Sequence, residues 1–266
     1  MLGSAAKWFA QLAMAGAAVF LLAPLLVIAA ASFSPTPVFD LPIGGASLRW
    51  YGAISSLDGF WPALALSLEI ATVSTMISLV LGTFAGIAIA RGAMPGASFF
   101  SAALASPLMM PGLVLGIALL QFFHGLGLTQ TWTSLLLAHV VVTLPYVART
   151  MIAGLSRFDF TLLDAARTLG CGFTSSIVRV MAPALAPAYL TSALFSFLAS
   201  MDNYPVSIFL TDARNKTLPI KMLQYIEESP DPSIAALSTL ILLATLALLF
   251  IADRAVGLHR LAGLAE

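Results

Sequence analysis

Between Arg91 and Arg149 the chain carries no aspartate, glutamate, lysine or arginine. A helix at the surface of a water-soluble fold usually carries charged residues on its solvent face, and a run this long has none to place there. It is also too long for a single crossing of a bilayer, because one helix needs about 20 apolar residues to span the hydrocarbon. His124-Gly125-Leu126-Gly127 through Thr133 supplies the interruption. The run therefore predicts two spans, residues 97–123 and 132–151, joined by a glycine-rich turn.

The same logic extends over the rest of the chain. Of 266 residues 60% are hydrophobic and 9% charged, more than one aqueous core can hide, so the bilayer is the solvent that fits. A first span over 9–33 follows from the charge-free stretch Trp8–Phe39, which ends at Ser34-Pro35. It is too long for a signal peptide and lacks a small-x-small cleavage site beside a short apolar region. A second span over 62–90 is interrupted by Glu69, a fifth covers 184–201, and a sixth covers 233–252 before Asp253-Arg254. Arg91 to Gly96 reads as a tight turn, and Arg49, Trp50 and Tyr51 in the connection before the second span suit a membrane interface. The expectation is an all-α polytopic bundle of six spans, one domain over residues 1–266.

The longest reach that is neither span nor tail is Phe158–Pro183, FDFTLLDAARTLGCGFTSSIVRVMAP. Thr161 three residues before Asp164 predicts a capping box. Leu162, Ala165, Ala166 and Leu169 then share one helical face. Gly170 and Gly172 predict a stop, Thr174 a second start running to Val180, and Pro183 its end or the beginning of the next element. Two short helices joined by glycine between two spans form an elbow that another protein can grip. An amphipathic pair lying on the bilayer surface is the alternative.

Six spans place both termini on one side. Lys7, Arg91, Arg149, Arg157, Arg167, Arg179, Arg254 and Arg260 lie on the elbow side, eight against the four of Arg49, Arg214, Lys216 and Lys221. The excess predicts a cytoplasmic elbow and cytoplasmic termini. The opposite face, with four basic and six acidic residues (Asp40, Asp58, Asp212, Glu227, Glu228, Asp231), carries a charge of −2, leaving aside Asp202 at its edge.

The elbow resembles the cytoplasmic EAA loop of the permease subunits of binding-protein-dependent ABC importers, E-A-A-x3-G-x9-I-x-L-P. Asp164, Ala165, Ala166, Gly170, Val180, Ala182 and Pro183 stand at its positions with the spacing intact, with Asp for Glu, Val for Ile and Ala for Leu. Over nearly the whole chain the resemblance is to the second permease of spermidine/putrescine-type importers, including SMDNYPVSIFL after the fifth span. It implies a MetI-like inner-membrane domain whose loop over 158–183 docks a coupling helix in a groove of a cytosolic ATPase subunit, so that an engine of two ATPase copies needs a second permease beside this one. A second permease, a different chain in the family pattern, and an extracytoplasmic binding protein complete the implied assembly; the sequence leaves a homodimer open.

Intrinsic chemistry is not expected. A P-loop needs lysine after glycine, and none of Lys7, Lys216 or Lys221 follows one. There is no HExxH, paired-cysteine metal pattern or serine elbow, so neither catalysis nor a cofactor is predicted. The single Cys171 permits no internal disulfide, and the net charge of zero gives no footprint for nucleic acid. An ATP-independent secondary transporter or channel is the rival class, but its paired broken helices in two halves are not evident.

Ionisable residues in spans are costly and usually functional. Asp202 and Tyr204 at the outer end of the fifth span, with Glu69 in the second, are the residues placed to line a route for a small solute, a polyamine or similar amine. Pro107, Pro111 and Gly112 predict a kink in the third span and Pro145 one in the fourth. Gly82 and Gly86 predict close internal packing. His139 is expected to be hydrogen-bonded within the bundle.

Overall fold

The computed structural model describes residues 4–38, 45–92 and 95–256. Asp40, Arg260 and part of the turn after Arg91 lie outside the described residues, as does the side chain of Lys7. The helices in chain order are α1 (Ser4–Ala31), α2 (Arg49–Ala53), α3 (Phe60–Ala90), α4 (Ala97–Ala105), α5 (Gly112–Gly125) and α6 (Thr131–Leu155). They continue as α7 (Thr161–Thr168), α8 (Phe173–Ser176), α9 (Ala182–Ala184), α10 (Ala186–Met201), α11 (Tyr204–Leu210), α12 (Leu218–Glu228) and α13 (Ser233–Val256). Among the described residues there is no strand.

Four helical stretches are long and apolar enough to cross a membrane: Trp8–Ala31, Phe60–Ala90, Thr131–Leu155 and Ser233–Arg254. Two bent pairs would bring the number to six: Ala97–Met109 with Gly112–Gly125, and Phe173–Ala184 with Ala186–Met201. The expected kink in the third span is a break of 107°. Proline disfavours helical geometry in the residue before it and donates no amide hydrogen. Met110, before Pro111, is accordingly extended at ψ 137°, and the chain restarts as α5 at Gly112. The second bend, of 80°, falls at Leu185 between Pro183 and Pro187. The second elbow helix therefore runs past Val180 and through Pro183, by way of a π turn over Ile177–Met181, and the fifth apolar helix starts at Ala186 rather than 184.

The chain divides into two compact units, residues 1–60 with 222–248 and residues 61–221 with 249–266. In the first, most side chains of α1 are exposed along its length, which suits a helix whose solvent is lipid. Its end is tied down by Trp50, whose indole donates to the Ser34 carbonyl at 2.7 Å, and by a 2.7 Å bond between the Ser32 and Tyr51 hydroxyls. Before α13, Asp231 accepts from the Ser233 amide at 2.8 Å and from the Tyr225 hydroxyl at 2.9 Å, satisfying an amide at the helix start.

The second unit is layered along α6. One apolar layer joins Ile70 of α3, Leu115 and Phe123 of α5, Leu135 and Leu136 of α6, and Val206 and Leu210 of α11. Another joins Val147, Met151 and Leu155 of α6 to Leu163 of α7 and to Met181 and Leu185. Between these positions on α3, α6 and α10 come buried Ser74, Ser78, His139, Thr143, Ser196 and Ser200. The hydroxyls pair across helices, Ser78 with Thr143 at 2.7 Å and Thr75 with Ser196 at 3.1 Å, as buried polar groups in an apolar bundle require. Gly82 and Gly86 pack internally as expected: a Cβ on Gly82 would lie 2.6 Å from Val147 Cγ1, so α3 meets α6 backbone-close.

Candidate functional site

The elbow is built on one anchor. Leu163 is 3% exposed and inserts α7 into the apolar layer of Met151, Leu155 and Met181. The face singled out by periodicity points the other way: Leu162 is 48% and Leu169 85% exposed, with Asp164 and Ala165 also exposed and Ala166 partly so. An eight-residue helix thus spends one leucine on its own fold and leaves an apolar face open, with Asp164 and Arg167 exposed on the opposite side of the helix. Phe173 and Val178 continue the exposed apolar surface beyond the turn.

The start of α7 corrects the expected capping box. Thr161 is the first helical residue, and its amide and hydroxyl both donate to Asp159 Oδ1, at 2.9 and 2.7 Å. Those two bonds, side chain first, hold the Asp159 carboxyl below the usual aspartate range. At the other end, Gly170 adopts φ +89°, its amide bonds to the Arg167 carbonyl at 3.0 Å, and the Cys171 amide bonds to that of Ala166 at 3.0 Å. This pair of bonds around a left-handed residue is the Schellman closure, which glycine adopts at least cost. Phe158 and Phe160 stack edge to face at 5.4 Å, and the Arg91 guanidinium lies 5.1 Å from the Phe160 ring, tying the elbow to the end of α3. Val180 lies in the π turn, packed against the apolar layer, and Ala182 and Pro183 lie in α9, so the seven spaced positions run from α7 to α9 in the connection between α6 and α10.

Asp202 and Tyr204 flank a second break. Asp202 closes α10, its amide bonded to the Leu198 carbonyl at 3.1 Å, and its carboxylate is exposed. Asn203 Oδ1 accepts from the Val206 amide at 3.2 Å and so caps α11, while Tyr204 is partly buried. Helix α11 is seated on α5 through two glycines: a Cβ on Gly112 would lie 2.8 Å from Pro205 Cβ, and one on Gly116 2.7 Å from Phe209 Cδ2. Glu69 stands apart from this pair. It is exposed and accepts from the Trp132 indole at 3.0 Å. Among the described residues no hydrogen bond joins Glu69 to Asp202 or Tyr204.

Two features escaped the reading of the sequence. One is a cleft of about 450 Å³ lined by Leu66, Thr129, Gln130, Thr131, Trp132, Asp212 and Asn215. Its Asp212 carboxylate receives Thr131 Oγ1 at 2.6 Å, Asn215 Nδ2 and the Asn215 amide at 2.8 Å, and the Arg214 amide at 2.7 Å. These bonds, that from Thr131 foremost, push its pKa far down and make it the organiser of its own loop. The other is the hydroxyl layer around His139. Its signal was the four-residue spacing of Ser192, Ser196 and Ser200, which puts all three on one face of α10.

The sequence of the region holding both breaks and the elbow settles its kinship. Residues 75–260 match the model of the family described as binding-protein-dependent transport system inner membrane component. The chain belongs to that family. It is 30% identical to the spermidine/putrescine transport system permease protein PotC of Escherichia coli K12 over 227 residues, 85% of this chain and 86% of that protein. It is 31% identical to the putrescine transport system permease protein PotI of the same organism over 230 residues, covering 84% of this chain and 82% of PotI. Identity to the trehalose transport system permease protein SugB of Mycobacterium tuberculosis is 28% over 225 residues, 82% of each chain. In fold it is similar to a chain of a bacterial ABC transporter involved in the import of the acidic polysaccharide alginate, with TM-score 0.71, 16% identity, and coverage of 96% of this chain and 98% of that one. The protein is thus an inner-membrane permease component of an ABC importer, a system whose other parts include ATPase and binding-protein partners.

Proposed function

We propose that this permease forms half of the route by which a small amine, a polyamine or a compound like it, enters the cell, and that the elbow over 158–183 couples that route to ATP hydrolysis. The observation that carries the coupling role is the outward face of α7. Leu162 and Leu169 are exposed on a helix already anchored by Leu163. An apolar patch left open on an anchored helix is the form of a docking surface. Nucleotide-driven movement of an ATPase gripping that patch would pass as rigid-body motion through Leu163, Met181 and Leu185 into α6 and the bend before α10.

In this reading two ATPase copies act on two permeases, the second a different chain. The elbow and both termini face the cytoplasm, the chain acts as one domain, and six spans result when each bent pair crosses once. The amine assignment rests on the named substrates of PotC and PotI and on the exposed carboxylate of Asp202, with Tyr204 beside it. Glu69, bonded to Trp132, contributes to the acidic character of the same route.

The test is reconstitution of the assembled complex in liposomes with its binding protein. Uptake of radiolabelled putrescine and spermidine should require ATP and be indifferent to proton or sodium gradients. A Leu162→Cys permease should cross-link to an ATPase bearing a cysteine in its docking groove. Gradient-driven uptake without ATP, or an elbow cysteine that reaches only lipid-soluble reagents, would overturn the proposal.

A further inference from the structure

His139 is buried at 2% exposure on α6, and its two ring nitrogens reach across the break that carries Asp202 and Tyr204. Nδ1 lies 2.6 Å from Ser200 Oγ in the last turn of α10, and Nε2 lies 3.0 Å from Ser207 Oγ in α11. The bonding order around the ring is determined by proton counting. The Ser207 hydroxyl donates to the Asn203 carbonyl, which can only accept. Its single proton is then spent, so Ser207 can only accept from the ring, and Nε2 must carry hydrogen. In the neutral imidazole Nδ1 is then an acceptor, and the Ser200 hydroxyl donates to it. The Ser74 hydroxyl of α3 lies 3.3 Å from Ser200 Oγ and 3.3 Å from the Ala71 carbonyl, and its one proton is shared between these two acceptors.

The result is a one-directional chain: Ser200 to His139, His139 to Ser207, Ser207 to the Asn203 carbonyl. It links α6 and α10 to the backbone inside the break, with Ser74 of α3 against Ser200. The His139 carbonyl accepts from Thr143 at 2.7 Å, and Thr143 is paired with Ser78, so the ring's own helix is braced against α3. From these contacts we infer that His139 is a positioning residue for transport. It fixes the angle between α10 and α11 and so places Asp202 and Tyr204, without itself touching solute. This inference rests on the assignment of those two residues to the route.

The first measurement is independent of transport. The chain holds three histidines, so the 15N-histidine spectrum of the complex in bilayers, compared with that of His139→Gln, isolates this ring. The chain of bonds requires protonated Nε2 and bare Nδ1. A ring protonated on Nδ1 would overturn it. The second measurement is solute moved per ATP hydrolysed. Loss of both ring bonds in His139→Leu should lower this ratio roughly tenfold while ATP hydrolysis persists. His139→Gln, which keeps an N–H near the Nε2 position, should restore it to within about twofold of wild type. A general packing defect would instead lower assembly and hydrolysis together and would not be rescued by glutamine. Should His139→Leu fail to assemble, Ser207→Ala leaves the ring in place and must lower the ratio in the same direction. A wild-type ratio in either variant that assembles overturns the positioning role. A normal ratio in Asp202→Asn with the predicted tautomer intact would instead refute the route assignment alone.

Discussion

Replacement of Gly170 isolates backbone conformation from packing. The residue sits at φ +89°, and a Cβ built there meets no heavy atom within 4 Å, so a side chain causes strain without a clash. For an L-residue the left-handed region costs about 1–2 kcal/mol, and a β-branched residue is a true outlier there. Asparagine tolerates the region better. The closing bonds from Gly170 and Cys171 to Arg167 and Ala166 are what that strain opposes. A cost of that size shifts the balance between native and opened turn roughly 5- to 30-fold. Because the turn lies between spans, the amount of inserted permease should not change. In liposomes containing the full complex, Gly170→Val should lower solute moved per ATP about tenfold. Gly170→Asn should fall between it and wild type. Equal ratios for all three chains, or equal losses for asparagine and valine, would refute the reasoning.

Three further outcomes are expected. Gly116→Ala puts a Cβ 2.7 Å from Phe209 Cδ2 and 3.0 Å from the Pro205 carbonyl oxygen, so α5 and α11 must part. The cost should be about 1–3 kcal/mol, read as a lower thermal midpoint of the purified permease, whereas Gly125→Ala, with open space around it, should leave the midpoint unchanged. Asp202→Asn should reduce uptake of cationic amines more than insertion or ATP hydrolysis, measured in the same liposomes. The Asp159 bonds favour the ionised carboxylate, so their contribution is complete above the ordinary aspartate pKa of about 3.9 and disappears as pH falls through the lowered folded value. Amide exchange in residues 161–168, corrected for intrinsic rate, should therefore stay flat from neutral pH to about 4 and rise below it. Asp159→Ala should show the raised exchange already at neutral pH.

What the residues alone determined was the solvent, the element type and the place of the elbow. Charge-free runs, glycine and proline are local properties of the chain, and they located α3, α6, α13 and the turn at Gly170 to within a few residues. The family resemblance of the elbow was likewise carried by spacing. Tertiary structure decided which way each surface faces. On a short helix, periodicity does not separate an apolar face packed on its own fold from one left open to a partner. Hence Leu162, Ala165, Ala166 and Leu169 could be grouped, but not assigned to the exposed side, without Leu163 in its layer. Tertiary structure decided the bends as well. Pro107 and Pro111 announce a weak point, but not the 107° angle of the break, after which α11 lies against Gly112 and Gly116. The serine and histidine layer belongs to the same class, because Ser74, His139, Ser200 and Ser207 are distant in sequence and meet in one polar layer only when the helices bring them together.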